Sequence, residues 1–132
     1  MSWTYSCPSC NAMLNPDVSI VLVGQHGEDR ILVGFHPQPG NFEVYLPPGV
    51  QPARGSRWVF LCPVCHQDLV ASPDADLCAV MLHGSGRTHR VLFSRVAGDQ
   101  ATFVVSGMEV EEHHGRDVEK YWASLATLKY VL

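Results

Sequence analysis

The sequence predicts a mainly β fold with one C-terminal helix, in which two repeated three-stranded meanders are joined at a shared four-cysteine site. Three observations support this fold class. The apolar runs are short, rich in β-branched and aromatic residues, and bounded by Gly, Pro, Asn or Asp, as is typical of strands. Four of the five cysteines form two matched pairs. The same order of motifs also occurs twice along the chain.

The composition indicates a single folded domain over residues 1–132. The chain is 46% hydrophobic and 17% charged, which argues against disorder and leaves room for one core. No apolar run approaches the roughly 20 residues that a membrane helix needs, so no membrane contact is expected. The formal net charge is −4, so the chain lacks the basic field that attracts nucleic acid.

The cysteine pairs lie in Cys7–Cys10 and Cys62–Cys65, and both segments read Cys-Pro-x-Cys. A tight turn at this spacing points two sulfurs at one place, and two such turns facing each other supply four thiolates for a tetrahedral ion. Zinc is the expected ion. Four cysteines close the coordination shell, so the predicted site is structural and leaves no position for substrate.

These motifs resemble those of zinc-ribbon and zinc-knuckle proteins, in which two such turns at the tips of β-hairpins clamp one ion. The resemblance covers the two motifs only. It implies that the halves are zinc-knuckle meanders and that the ion is Zn²⁺, with Fe possible as in a rubredoxin-like site. The stretch between Cys10 and Cys62 exceeds the roughly 15 to 20 residues of the compact pattern, so the insert must be structured. The metal ligands implied by the resemblance are Cys7, Cys10, Cys62 and Cys65.

Three other interpretations of the cysteines stay open. The segment Cys62–His66 matches the pattern for covalent attachment of c-type haem, although the first motif has Asn11 where the second has His66. A dithiol oxidoreductase would use a single exposed pair at the start of a helix, whereas this chain has two matched pairs. Free, purely structural cysteines are the third interpretation. The resembled family often has glycine at the positions of Asn11 and His66.

The two cysteine motifs open two similar halves, pseudo-repeat 1 over residues 7–50 and pseudo-repeat 2 over residues 62–110. Cys7 matches Cys62, and after a short slip the His-Gly turn that contains His26 matches the one that contains His83. Later apolar runs match after a further slip, and both slips fall where turns are expected. We interpret this order as an internal duplication, in which Cys78 occupies the position of Val21.

Each half is predicted to hold three strands. Short additional strands are expected to lead into each motif, because aromatic residues flank both motifs and fit the core. These residues are Trp3, Tyr5, Trp58 and Phe60. The predicted strands are Ser19 to Val23, Arg30 to Phe35, Asn41 to Leu46, Leu77 to Leu82, His89 to Arg95 and Ala101 to Ser106.

A connector and a helix complete the prediction. The Pro- and Gly-rich residues 47–57 are predicted to be an exposed linker, whose Arg54 and Arg57 are expected to be solvated. An acidic, polar segment over residues 109–114 follows the second half. From Asp117, the expected N-cap, apolar residues recur at helical spacing and predict a C-terminal helix over about 117–128.

No motif for catalysis occurs: the chain has no nucleotide-binding loop, no paired-histidine metalloprotease helix and no nucleophile elbow. His26 and His83 are expected to bond to nearby backbone in their turns. His113 and His114 are adjacent on an extended segment and should point to opposite sides, so they are not expected to bind one ion together. Cys78 is expected to be buried in a strand.

The sequence therefore favours a non-catalytic zinc-binding structural or interaction module, a small subunit or accessory factor of a larger protein assembly. A protein partner or a homo-oligomer is expected, with the apolar C-terminal segment, Tyr121 to Leu132, as the favoured surface. One alternative is a nucleic-acid-associated zinc-ribbon factor of the transcription-accessory type, and another is an enzyme with a histidine site. No secretory signal precedes Cys7, so a cytoplasmic location is expected.

Overall fold

The computed structural model describes residues 3–72, 75–84, 86–107, 109–123 and 125. This part of the chain is mainly β, as predicted. It contains one short 3-10 helix, Val118–Tyr121. Its strands are β1 (Thr4–Ser6), β2 (Ile20–His26), β3 (Asp29–Phe35), β4 (Val44–Tyr45), β5 (Val59–Leu61), β6 (Val70–Ser72), β7 (Leu77–Gly84), β8 (Arg87–Ser94), β9 (Thr102–Ser106) and β10 (Glu109–His114).

The strands form two antiparallel sheets. The large sheet has six strands in the order β1-β7-β8-β9-β10, with β6 also paired to β7. The small sheet has four strands in the order β4-β3-β2-β5. Each sheet is built around one long hairpin, β2–β3 in the small sheet and β7–β8 in the large one. These hairpins carry apolar runs that the sequence pattern predicts as strands.

The two halves of the chain exchange their leading strands. β1 precedes the first cysteine motif but pairs with β7 of the second half, with Tyr5 opposite Leu82. β5 precedes the second motif but pairs with β2 of the first half, with Phe60 opposite Gly24. Each leading strand ends directly before a cysteine, so this exchange places each motif against the hairpin of the other half.

The main core lies between the two sheets. Apolar side chains from both hairpins and both leading strands fill it, and burying each large side chain contributes about 1.5–3 kcal/mol to folding. Its members include Tyr5, Leu22, Phe60, Val80 and Val91. A second apolar cluster covers the opposite face of the large sheet, where Tyr121 and Leu125 pack over residues of β7, β8 and β9.

The hairpins correct the predicted alignment of the two halves. The last residue pair before the turn is His26 with Asp29 in the β2–β3 hairpin and Gly84 with Arg87 in the β7–β8 hairpin. When the two hairpins are aligned at their turns, His26 therefore corresponds to Gly84. His26 and His83 therefore do not occupy matching positions. By the same register Cys78 lies at the position of Ile20, and both side chains are buried in the core between the sheets.

The predicted C-terminal α-helix is not found in the described residues. The described part of the segment contains the 3-10 helix, and Ser124 and residues 126–132 of the apolar C-terminal segment lie outside the described residues. Asp117 makes no side-chain cap bond to this helix. Its carboxylate instead accepts the Gln100 N–H at 2.9 Å, while its own N–H donates to the Gln100 carbonyl at 2.9 Å. Asp117 thus fastens the segment to the turn before β9.

The connector over residues 47–57 has no strand, as predicted, but its end is held in place. Arg57 donates from Nε to Asp76 at 3.0 Å, and Arg95 donates from Nε to the same carboxylate at 2.9 Å. Arg57 also forms a β-bridge with Val96. Arg57 is therefore part of the fold rather than a free linker charge. None of the helical segments in the described ranges has the length and apolar character of a membrane span.

Replacing Gly24 with Ala is expected to destabilise the protein, because a Cβ there would lie 2.9 Å from Cγ2 of Val33 and 3.3 Å from the Trp58 ring. We expect a loss of about 1–3 kcal/mol in the free energy of unfolding, measured by urea titration of the metal-loaded protein. Gly84, another strand glycine, is the matched control, because nothing lies within 4 Å of the Cβ that Ala would add. Equal unfolding midpoints for the two variants would contradict this packing.

Asp117→Asn is expected to reduce stability at neutral pH but not in acid. The hydrogen bond from the Gln100 N–H lowers the pKa of the Asp117 carboxyl below its ordinary value. Such a group stabilises the fold above its unfolded pKa of about 3.9, and this contribution is lost as the pH falls through the folded pKa. Urea unfolding of both metal-loaded proteins, from about pH 7 down to the lowest pH at which they keep their metal, measures the difference. A pH-independent difference would refute the assignment.

Candidate metal centre

The first cysteine motif is a tight turn held by backbone hydrogen bonds. The Cys7 N–H donates to the Ala12 carbonyl at 3.0 Å, and the Asn11 N–H donates to the Cys7 carbonyl at 2.9 Å. Inside the turn, the N–H groups of Ser9 and Cys10 donate to Sγ of Cys7 at 3.3 and 3.5 Å. Donors of this kind stabilise a thiolate, which is the form that binds metal.

The second motif repeats this geometry. The Cys62 N–H donates to the Gln67 carbonyl at 3.0 Å, the His66 N–H donates to the Cys62 carbonyl at 2.9 Å, and the Val64 N–H donates to Sγ of Cys62 at 3.4 Å. In both motifs the first cysteine is therefore held by its own loop. The second motif begins where β5 ends, just as the first begins where β1 ends.

Asn11 and His66 supply the left-handed residue that closes each turn. Their φ angles are +64° and +62°. This is the conformation for which the resembled family often uses glycine, and Asn and His adopt it several-fold more often than most other residues. The departure from the family pattern therefore leaves the turn geometry intact. In the sequence, this left-handed conformation is indicated by the residues that directly follow Cys10 and Cys65, which are Asn and His.

The four sulfurs converge on one point. Sγ of Cys7 lies 3.8 Å from Sγ of Cys65, and Sγ of Cys10 lies 3.7 Å from Sγ of Cys62. All four lie within 4.8 Å of one another. A tetrahedral ion with Zn–S bonds of about 2.3 Å requires sulfurs about 3.8 Å apart, so the two closest spacings fit such an ion. They are too long for disulfides, and all five cysteines are free.

The site is buried on one side and open on the other. Cys7 and Cys62 are buried, whereas Cys10 and Cys65 are exposed. Each motif therefore contributes one inner and one outer sulfur, and an ion can enter from the solvent side. All four positions of a tetrahedral ion would be filled by protein sulfur, so the arrangement supports a structural role for a bound metal.

The thiols of the cluster differ in acidity. Burial raises the pKa of Cys7, but the N–H groups of Cys10 and Ser9 outweigh it and lower that pKa to about 7. For Cys65 the backbone N–H of Gln67 acts to lower the pKa, but partial desolvation and the neighbouring thiols raise it to about 12. Four thiolates repel one another, so a cation between them is needed before all four can be deprotonated together.

The geometry does not favour the other interpretations of the cysteines. Both sulfurs of Cys62–Cys65 face sulfurs of the first motif, whereas a haem attachment site would leave them free for the porphyrin. Neither motif begins a helix, as the dithiol pair of a thioredoxin-like enzyme would. Cys78 is fully buried, as expected, and burial raises the pKa of its thiol to about 12, so it is not a reactive nucleophile.

The candidate histidines do not come together in the described part of the chain. His26 stacks on Trp58 at 5.2 Å, and its Nδ1 lies 3.0 Å from the distant Arg57 carbonyl rather than local backbone. His83 lies 2.6 Å from the Ser6 hydroxyl and not beside His26. The cysteine cluster is the grouping of metal-binding side chains found among the described residues.

His113 and His114 point to opposite sides of β10, as predicted. The ring of His113 packs edge-on against Trp122 at 5.2 Å. Nε2 of His114 lies 3.1 Å from the Glu112 carboxylate. The two rings therefore contact different residues and do not form a joint metal site.

An apolar cavity of about 220 Å³ lies between the sheets, and none of the four clustered cysteines lines it. Phe35, Phe93 and Leu22 are among its walls, and His36 and Glu43 line its rim. Nδ1 of His36 accepts the N–H of Gln38, and the Glu43 carboxylate accepts the Tyr45 hydroxyl. His36 and Glu43 are therefore bonded to other residues and not to each other. Asp99 also lines the cavity, and its carboxylate accepts the Tyr121 hydroxyl at 2.7 Å.

Comparisons with protein-family models, curated proteins and solved structures found no match to this chain. The four close cysteines are consistent with a zinc-knuckle-like site, but they identify no family. The interpretation of function rests on the geometry of the cluster and of the surfaces around it.

The purified chain is expected to carry about one zinc ion, or iron after growth in iron-rich medium, because both motifs serve one four-thiol site. Cys10→Ser and Cys65→Ser lie in different motifs, and each is expected to abolish stoichiometric binding. Cys78→Ala is the matched control and should retain the metal, because this cysteine lies in the core and outside the cluster. Metal analysis of freshly purified, reduced protein gives the stoichiometry.

Two ions per chain would contradict a shared site. A Cys10→Ser or Cys65→Ser variant that keeps half of the wild-type metal content would also contradict it. So would the absence of metal from reduced protein that was never exposed to a chelator.

Proposed function

We propose that the protein is a non-catalytic structural zinc module that acts through protein contact, as a small subunit or accessory factor of a larger assembly. The observation that carries the proposal is the convergence of four sulfurs from two motifs, with spacings of 3.7 and 3.8 Å that suit one closed tetrahedral ion. Cys7, Cys10, Cys62 and Cys65 would be the ligands. Four cysteine sulfurs suit Zn²⁺, which we propose as the bound ion, and iron is the alternative.

The absence of a catalytic arrangement in the described residues favours protein contact over catalysis. Among the described residues, His26 and His83 are held apart in separate contacts. At the cavity rim, His36 and Glu43 bond to other residues rather than to each other. The net charge of −4 opposes the nucleic-acid alternative. Metal ligation by cysteines needs reduced thiols, so we propose a reducing compartment such as the cytoplasm.

We also propose that the two halves descend from one duplicated unit. Each half contains the same backbone hydrogen bond. The Leu14 N–H donates to the Tyr5 carbonyl at 2.9 Å, and the Leu69 N–H donates to the Phe60 carbonyl at 2.9 Å. The two bonds are offset along the sequence by the same number of residues as Cys7 and Cys62. A duplicated unit that exchanges its leading strand with its copy would place two identical motifs face to face. On this account the whole chain is one domain, because neither half has a complete sheet or a complete metal site.

The apolar C-terminal segment is only partly available as the contact surface. Tyr121 and Leu125 are buried on the large sheet, and the Tyr121 hydroxyl donates to Asp99 at 2.7 Å. Up to Leu125, therefore, this segment serves the protein's own core. Trp122 is half exposed and contacts Phe103 at its ring edge.

Removal of the metal is expected to unfold the protein, because the binding free energy of a structural ion is part of the folding free energy. A chelator should abolish the near-ultraviolet circular dichroism of the buried aromatic side chains, which include Tyr5 and Trp58, and zinc added under reducing conditions should restore it. The Cys78→Ala variant, treated in the same way, is the control for thiol oxidation outside the cluster. A metal-free chain that keeps the native spectrum and a cooperative transition would refute the structural role.

A further inference from the structure

The cavity of about 220 Å³ between the two sheets is large enough for a small molecule. We call it the intersheet cavity. An apolar protein cavity of about 150 Å³ takes up benzene, so this one has room for a single ring with a small substituent. Its walls include the rings of Phe35 and Phe93, whose centroids lie 5.8 Å apart, and the aliphatic side chains of Leu22 and Val80.

The loop between β3 and β4 closes one side of the intersheet cavity, and most of its residues line it. Hydrogen bonds hold this loop in place. The buried Tyr5 hydroxyl donates to the Pro37 carbonyl at 2.5 Å, and the Asn41 N–H donates to the Gln38 carbonyl at 3.0 Å. The cavity is therefore formed by the chain itself, as is usual for sites that bind small molecules.

The wall of the cavity contains one buried hydroxyl group without a partner. Thr102 lies on β9 opposite Phe93, lines the cavity and is only 9% exposed. Its hydroxyl forms no hydrogen bond with another described residue. In the described part of the chain, every fully buried side-chain oxygen or nitrogen atom has a hydrogen-bond partner. The Thr102 oxygen is therefore not sealed in the core, and the cavity is the space through which it can be reached.

Two other polar residues that line the cavity, Asp99 and Ser94, already have partners. The Asp99 carboxylate accepts the Tyr121 hydroxyl at 2.7 Å and the Lys120 ammonium group at 3.0 Å. The Ser94 hydroxyl lies 2.8 Å from the Tyr121 hydroxyl. Thr102 is thus the buried group in this wall that a ligand can satisfy without breaking an existing hydrogen bond.

The charges of the chain indicate a neutral ligand. Moving an ion from water into apolar surroundings is costly unless an opposite charge meets it there. An anion would meet the Asp99 carboxylate and a chain of net charge −4, and a cation would have to compete with Lys120 for Asp99. A neutral ring with one polar group avoids both costs.

We propose that the intersheet cavity binds a small neutral aromatic alcohol of one ring, of which phenol is the simplest. The ring would pack on Phe35 and Phe93, and its hydroxyl would bond to the Thr102 hydroxyl, which can both donate and accept. This binding function goes beyond the proposed contact function, because none of the four clustered cysteines lines the cavity.

Nuclear magnetic resonance titration of the metal-loaded full chain with phenol and with toluene tests the proposal. The two probes have the same number of heavy atoms and differ only in a hydroxyl against a methyl group. The wild type should bind phenol at one saturable site. Thr102→Val keeps the shape of the side chain but removes the hydroxyl, so it should weaken phenol binding about fivefold and leave toluene binding unchanged.

The matched control for this substitution is Thr4→Val. Thr4 lies on β1 next to Tyr5, but its side chain does not line the cavity, so the variant should bind phenol like the wild type. Benzoate, an anion with the same ring, should bind neither variant nor the wild type.

Filling the cavity gives a second measure. Val91→Phe adds a ring inside the intersheet cavity and should abolish binding of both phenol and toluene. A second cavity of about 260 Å³ adjoins the first at Phe35 but is not lined by Thr102 or Val91. Ile31→Phe would fill that second cavity and should leave phenol binding unchanged. The metal content of each variant reports its folding, and if Val91→Phe loses its metal, Thr102→Val alone decides the test.

A wild type that shows no saturable phenol binding would overturn the proposal. A Thr102→Val variant that loses phenol and toluene equally, or neither, would also overturn it. Benzoate binding as tight as phenol binding would refute the neutral ligand, and binding blocked by Ile31→Phe alone would refute the site. Because metal content is measured in the same samples, a metal-loaded protein that ignores phenol would leave the structural zinc module intact.

Discussion

The fold depends on one constraint: four sulfurs from two motifs that are distant in the sequence must reach the same point. Each motif directly follows a short leading strand, so the position of that strand sets the position of the motif. By pairing β1 with β7 and β5 with β2, the chain anchors each motif on the hairpin of the other half. A bound ion would then link two halves that are already interlocked, and its binding energy would stabilise both sheets together.

The outer faces of the two sheets differ in how far the chain covers them. The large sheet is closed by Val118, Tyr121 and Leu125, which Asp117 fastens through its paired bonds with Gln100. On the outer face of the small sheet, Leu32 and Tyr45 are exposed.

Local sequence patterns predicted much of the structure. The spacing of the cysteines predicted the cluster, and β-branched runs predicted both long hairpins, because these features depend on neighbouring residues. The strand exchange was not predictable, because it depends on contacts between distant segments. The acidic segment over residues 109–114 forms the edge strand β10, which pairs on one side only and needs little apolar character. The predicted capping bond of Asp117 was wrong, because its carboxylate bonds to Gln100 instead, and the predicted C-terminal helix is not found in the described residues.

The most direct test of the account is zinc X-ray absorption of the protein as isolated, because it reports the atoms bound to the ion. The account predicts a first shell of four sulfurs at about 2.3 Å, with no nitrogen or oxygen ligand. That result requires both motifs, since each supplies only two sulfurs. A first shell with two sulfurs and two lighter atoms would mean that the motifs bind metal separately or with histidine, and it would contradict the shared four-cysteine site.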